Sequence, residues 1–304
     1  MAQNYLNTGT AIGNFEDLVN FITKVSWQLT PILTAAGKDK AKAILHEWPT
    51  QALRDGASNN RAEGYSPTFA AADITVRVRR TNPVQILANP FSVSGTQESI
   101  DKAGLGQSSE YDNQKDLKFK ELAKDIDFEI IRSARVTRDG DAGTAGEMDG
   151  LLAWASGDRN VIAAAAPRTT LLTEDLYNQV AQAIYQASGE MADCCVVTGF
   201  QKRVITRWST PIRRLGDEKT YTNAVNQYDG DWGTQIIKFD PHMAVGEVLL
   251  YPTKTVKVAY LRPVEHYELG RVADERRGYV LTECTLRVDN PNSIGRIQRL
   301  STSA

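Results

Sequence analysis

From Asn14 the apolar residues Phe15, Leu18, Val19, Ile22 and Val25 recur at helical spacing, with Asn14 placed to cap the first turn and Pro31 stopping the pattern. A short amphipathic helix is predicted there, behind a polar, Gly- and Asn-rich leader over residues 1–14 that reads as an extended arm. Residues 44–48 and 74–78 read instead as strands, the second alternating Ile74, Val76 and Val78 with Thr75, Arg77 and Arg79. Between them residues 49–73 are polar and carry Gly56, Gly64 and Pro67. A structureless loop of that length is unusual inside a compact domain, so it is functional, disordered, or docked on something outside the monomer.

Residues 112–135 give the strongest single element, a long helix whose stripe is Phe119, Leu122, Ile126 and Ile130, with Leu117, Ala123 and Ile131 at its margins. Its outer face alternates in sign through Asp116/Lys120, Lys118/Glu121, Lys124/Asp127 and Glu129/Arg132, a rail facing solvent or another subunit. Gly140, Gly143, Gly146 and Gly150 break the chain over residues 137–150 and suggest a hinge. A second helix starts at Thr173, with Glu174 and Asp175 in its first turn and Gly189 as its stop. Residues 194–197 read as a buried strand, and residues 200–208 as a third helix running into a basic turn with Arg213 and Arg214. The rest predicts successive strands over 234–239, 247–251, 255–260, 278–288 and 294–300. In the fourth of these, Val280, Thr282, Cys284, Leu286 and Val288 share one face, which should pack inward, leaving Leu281, Glu283, Thr285 and Arg287 on the other. No internal repeat is visible, and the pattern as a whole is α+β.

Composition narrows the class without naming a chemistry. The 304 residues carry 35 Lys plus Arg against 37 Asp plus Glu, a net charge of -2, with 41% hydrophobic residues, values that argue against disorder and collagen. The longest apolar runs fall far short of the ~20 residues that cross a bilayer, so no membrane partner is expected. The first residues lack the basic cluster and apolar run of a secretory signal. Near-neutral charge removes the basic footprint of a dedicated nucleic-acid reader and leaves only loose, non-specific contact with DNA. The three cysteines, Cys194, Cys195 and Cys284, cannot all pair within one chain, and the adjacent two point to opposite faces of a strand, so reduced thiols are expected.

No complete catalytic or ligand-binding pattern is present in the sequence. His46 opens His46-Glu47-Trp48-Pro49-Thr50, where a zinc protease would need a second histidine at position 50. His242 and His266 stand alone in sequence and read as solvated or cap-bonded. Asp139 and Asp141 resemble the start of a calcium loop that lacks its later ligands. Ser99 and Lys102 match a Ser-x-x-Lys spacing whose companion elements are absent. There is no nucleophile elbow, phosphate loop or dinucleotide fingerprint, so the sequence assigns no catalytic, cofactor-binding or metal-binding residues, no cofactor, and no enzyme activity.

Read in order, three segments resemble the tailed-bacteriophage major capsid (major head) protein family. They are Leu45-His46-Glu47-Trp48-Pro49-Thr50-Gln51-Ala52-Leu53, Asn89-Pro90-Phe91-Ser92-Val93-Ser94-Gly95-Thr96, and the stretch from Gln114 to Ile131. Met148-Asp149-Gly150-Leu151, the Thr173 helix, Phe239-Asp240-Pro241 and Glu283-Cys284-Thr285-Leu286 with Asn290 are similar to the same family's second half. The resemblance implies the Hong Kong 97-like capsid fold. On this chain it would give residues 1–40 as N-terminal arm and short helix, 41–95 as extended loop, 96–149 as peripheral domain with spine helix, 150–235 as axial domain and 236–304 as peripheral sheet. It also implies a structural protein whose copies form hexameric and pentameric capsomers of an icosahedral head around double-stranded DNA, a virion component assembled in the host cytoplasm. A separate scaffolding protein, a portal and a decoration protein are the further partners it implies.

The chain departs from part of the family: it has no lysine between Lys42 and Lys102, so an isopeptide crosslink through the extended loop is not expected. The physical case stands beside the resemblance. Ordering a long polar loop and an arm costs ~1 to 2 kcal/mol of backbone entropy per residue, which only contacts with neighbours would offset. Two alternatives stay open at this point. One is the shell of a cellular nanocompartment with the same fold; the other is a monomeric α+β enzyme using carboxylates of the 137–150 loop or Asp229 and Asp231.

Overall fold

The computed structural model describes residues 30–54, 56–67, 74–100, 109–137, 144–163, 170–208, 227–271 and 273–303. The arm and the Asn14-capped helix, the basic turn at Arg213 and Arg214, and Asp139 and Asp141 lie outside the described residues. In chain order the elements are α1 (Pro31–Ala35), β1 (Gly37–Lys40), β2 (Leu45–Thr50), β3 (Val78–Pro83), β4 (Gln85–Ser94), α2 (Gly95–Ser99), α3 (Glu110–Arg132) and α4 (Leu151–Trp154). There follow β5 (Asn160–Ile162), α5 (Glu174–Ser188), β6 (Cys194–Val197), α6 (Gly199–Trp208), β7 (Gln227–Gly230), β8 (Gly233–Phe239), β9 (Val248–Tyr251), β10 (Val256–Leu269), β11 (Glu275–Val288) and β12 (Gly295–Gln298). Pro31 opens α1, where its missing N–H is an orphan of the first turn anyway.

Three sheets carry the architecture: β1-β10-β11-β4, β5-β12-β9-β6-β8-β7, and the two-stranded ribbon β2-β3. The six-stranded sheet separates two cores. Cys194 and Val196 of β6 and Leu249 and Tyr251 of β9 face a core shared with Leu122, Ile126, Ile130 and Ile131 of α3 and with Cys284, Leu286 and Val288 of β11. Cys195, Val197, Val248 and Leu250 face the other, filled by Tyr177, Val180 and Ile184 of α5 and Val204 and Ile205 of α6. The adjacent cysteines thus point to opposite sides of a doubly covered strand, both as buried thiols. Burial pushes the Cys195 thiol up to about 12.

Helix ends follow their sequence signals closely. Thr173 Oγ1 accepts the Leu176 N–H at 3.3 Å, and Gly189 ends α5 at φ 68, in the left-handed region. At α3 the cap is Ser109, one turn earlier than periodicity suggests, and Glu98 of α2 reinforces it by accepting the Glu110 N–H at 3.0 Å. Of the glycines read as a break over residues 137–150, Gly140 and Gly143 lie outside the described residues, and Gly150 has a packing role. A Cβ on Gly150 would sit 2.8 Å from the Ile131 carbonyl oxygen, so the glycine there permits close approach to the end of α3.

Four readings of the sequence are corrected by the geometry. Residues 74–77 form no strand; they are exposed, and β3 begins only at Val78, because its partner β2 ends at Thr50 and no sheet lies behind. β4, unread from sequence, completes the four-stranded sheet against β11, and β10 and β11 run longer than predicted. β11 is buried on both faces: Thr285 is fully enclosed and its hydroxyl donates to the Pro83 carbonyl at 2.7 Å, while Glu283 pairs with Arg262 at 2.7 Å. Polar residues with built partners defeat a period-2 reading. Finally, the α3 rail keeps Lys118–Glu121 at 2.6 Å, but Asp127 leaves it entirely, being fully buried with Oδ1 accepting the Leu33 N–H at 2.7 Å.

Candidate assembly surfaces

Two excursions leave the body of the molecule. The first springs from the β2–β3 ribbon, whose register closes at Thr50 opposite Val78. All described residues of the segment between them are exposed, with Leu53 at 93%, Val76 at 74% and Ile74 at 72%. Bonds among its described residues include the Tyr65 N–H to the Ala62 carbonyl at 3.2 Å and Gln51 Nε2 to the Thr75 carbonyl at 2.9 Å, and the Arg61 guanidinium lies over the Tyr65 ring. The base, by contrast, is rigidly seated. Trp48 is buried, its Nε1 donates to the Val288 carbonyl at 2.9 Å, and its ring packs on Trp154 with centroids 5.9 Å apart. Burying a large apolar side chain stabilises by about 1.5 to 3 kcal/mol, and three side chains here leave that gain untaken within one chain.

The second excursion is the far half of the β10–β11 ribbon. β1 pairs β10 only from Lys257 to Tyr260, so from Arg262 to Leu269 the outer edge of β10 has no strand beside it among the described residues. Register shifts flank Arg262 and Pro263 at that point, and the edge then presents Val264, Glu265 and Leu269. A proline, a bulge and a charge are the usual guards of an open edge. The ribbon is stiffened by stacked Tyr267 and Tyr279, centroids 5.3 Å apart, and by Arg276, which reaches Glu268 at 2.6 Å and lies 3.9 Å over the Tyr111 ring. The bond to Arg276 holds the Glu268 carboxyl below its ordinary range. Gly278, opposite Glu268 near the ribbon's tip, lets the Tyr111 hydroxyl and the His266 ring pack against its backbone, both of which a Cβ there would push aside.

Lys102 lies outside the described residues, and those read for chemistry that are described stand apart from one another. His266 bonds the Tyr111 hydroxyl at 2.9 Å, and burial lowers its pKa. His46 is half-buried against Trp48, burial again lowering its pKa. Ser99 Oγ donates to the Gly95 carbonyl at 2.8 Å, which closes its own short helix. Asp229 and Asp231 sit exposed at the β7–β8 turn, with Asp229 accepting from Gln227. One grouping was missed by sequence reasoning: Asp127 of α3 meets Asp240 and His242 beyond β8. Burial, then the nearby Asp240 charge, pushes Asp127 up to about 8, and burial raises Asp240 as well. Periodicity could not find it, because its members come from distant parts of the chain.

Among the described residues no helix is long and apolar enough to cross a membrane. A family model described as the SU10 major capsid protein matches residues 3–301. No curated protein matches the chain. Among solved structures, the capsid of an empty GTA particle aligns with TM-score 0.68 at 13% identity, covering 98% of this chain and 100% of that one. A Gordonia phage Cozz chain aligns at 0.63 and 11% identity over 100% and 99% of the two chains. A chain of the holo-SrpI encapsulin complex from Synechococcus elongatus aligns at 0.59 and 11% identity over 93% of each. Identities this low establish a shared fold.

Proposed function

Given that the chain belongs to the SU10 major capsid protein family, we propose that its copies close into hexameric and pentameric capsomers of an icosahedral phage head enclosing double-stranded DNA. It is a structural major capsid protein with a Hong Kong 97-like fold, built to assemble in many copies. The observation that carries the capsomer reading is the ribbon at β2–β3. Trp48 fixes its base in the core, while Leu53, Ile74 and Val76 stand exposed, an apolar surface that a neighbouring copy can cover.

On this reading residues 1–40 act as the arm, 41–95 as the extended loop, 96–149 and 236–304 as the peripheral domain with α3 as its spine, and 150–235 as the axial domain. The same patch repeated on every copy makes head-to-tail contacts, which close into rings and then a shell. A net charge of -2 suits a wall that touches packaged DNA without gripping it. A separate scaffolding protein, a portal and a decoration protein complete the assembly, which takes place in the host cytoplasm, and the subunit performs no catalysis. The encapsulin likeness supports a shell as such, and nuclease-protected DNA inside purified particles separates a phage head from a protein-filled compartment.

The test is deletion of residues 52–70. The deletant should melt within a few degrees of the intact chain, because the described residues of the removed segment are exposed and bury no part of either core, yet electron micrographs should show no shells. Shells formed as efficiently as by the intact chain would overturn the assignment.

A further inference from the structure

The Asp127, Asp240 and His242 cluster has a charge balance that the capsid role does not explain. Each residue offers one ligand atom, and the three atoms lie within 4.8 Å of one another. Both carboxyl side chains are at 0% exposure. One oxygen of each is accounted for: Asp127 Oδ1 accepts the Leu33 N–H at 2.7 Å, and Asp240 Oδ1 accepts the His242 N–H at 2.8 Å. The other oxygen of each, Oδ2, is buried and finds no donor among the described residues, the two carboxyls facing each other across the cluster. Neither carboxyl has an ion pair with a lysine or arginine among the described residues. The His242 ring stands edge-on to Phe128, centroids 6.4 Å apart, at the half-buried mouth of the cluster. Buried carboxylates are ordinarily paired or coordinate a cation.

We propose that Asp127 Oδ2, Asp240 Oδ2 and a ring nitrogen of His242 bind one divalent transition cation, Zn2+ being the best match. Two carboxylate oxygens and one imidazole, with a water completing the set on the solvent side at His242, form a three-ligand zinc donor set. Imidazole disfavours Ca2+ and Mg2+, which take all-oxygen shells of six or more ligands. The ion would join the C-terminal part of α3 to the turn after β8. Through Asp127 Oδ1 it would also fix the α1 segment, tying three parts of the chain that sequence separates widely. Its role is a clamp, with no reaction attached.

The experiment uses the full chain, as capsomers and as assembled particles, stripped with a chelator and titrated with Zn2+, with Co2+ as a visible-absorption probe and Mg2+ for comparison. Expected are one Zn2+ bound per chain by elemental analysis, a raised melting temperature, and a Co2+ absorption band, with no such response to Mg2+. His242→Ala, at a half-exposed position that should leave folding intact, and Asp240→Asn should each weaken binding by roughly tenfold or more and remove the Co2+ band. His266→Ala should bind as the unaltered chain does. The proposal is overturned if the unaltered chain binds neither ion stoichiometrically, if His242→Ala binds normally, or if His266→Ala loses the ion equally. It also fails if Asp240→Asn raises the melting temperature of a chain that takes up no metal, which would mean that the two carboxyls share a proton.

Discussion

Gly150 and Trp48 show how much can hang on one side chain, or on the lack of one. A Cβ at Gly150 would meet backbone atoms, Ile131 O at 2.8 Å and Glu129 O at 2.9 Å, which cannot rotate aside as a side-chain tip could. Gly150→Ala should therefore cost about 1 to 3 kcal/mol, the usual range for overpacking, read as a lowered melting temperature with the circular dichroism spectrum unchanged. Trp48→Phe keeps an aromatic ring against Trp154 but removes the Nε1 donor from the buried Val288 carbonyl. A loss of ~1 to 3 kcal/mol is expected, measured by denaturant melts, with assembly impaired further because the β2–β3 ribbon is no longer pinned. At this scale the sequence was partly readable. The glycines at 137–150 stood out as a break, yet the reason for Gly150 lies in a neighbouring backbone that no local pattern reveals. Asp127 read as one more surface charge at helical spacing, because nothing near it in sequence announces Asp240.

Elements were more legible where one side is apolar and the ends are capped. The α5 boundaries follow from Thr173 and Gly189 alone, and the α3 stripe of Leu122, Ile126 and Ile130 is the buried face. Ala123→Pro, one turn into that stripe, removes a backbone bond and clashes with the preceding turn, so a loss of ~3 kcal/mol or more should abolish cooperative melting at physiological temperature. Strands were harder. β4 escaped because Asn89 and Pro90 interrupt it, and β11 was read with one buried face because Glu283 and Thr285 are polar; tertiary partners decide both. β1 was invisible for a similar reason: Gly37–Lys40 holds to β10 through backbone pairing and through Asp39, which reaches Arg287 at 2.5 Å. Burial works to raise the Asp39 pKa, but the Lys40 N–H and the Arg287 guanidinium outweigh it and hold the carboxyl below its ordinary 3.8. A depressed folded-state value gives stability that is present above pH 3.8 and is lost as pH falls through the folded value. Acid titration of unfolding should show this loss in the intact chain and a smaller one in Asp39→Asn.

For the molecule as a whole, the capsid reading says that the polypeptide is complete only among copies of itself, and amide hydrogen exchange tests this without altering a residue. Protection requires a stable hydrogen bond, and exchange reports local opening element by element. In β6, every residue is buried and paired on both sides, to β8 and to β9, so its amides should exchange only on global unfolding. Residues 51–54, 56–67 and 74–77 are exposed and lie in no strand or helix, with a backbone turn bond from the Tyr65 N–H. Their amides should exchange within seconds in the unassembled single chain. The edge of β10 from Arg262 to Leu269 is intermediate, bonded to β11 on one side and open on the other. On shell formation, protection should appear in the 51–77 segment by at least about tenfold, equivalent to ~1.4 kcal/mol, while β6 stays as it was. The contrast matters more than either value. A general tightening of the fold would slow β6 as well, whereas a neighbour laid over the excursion slows only what it covers. Equal exchange in the 51–77 segment before and after assembly would show that this part of the chain stays bare in the particle, and the long polar stretch would then need another occupant or none.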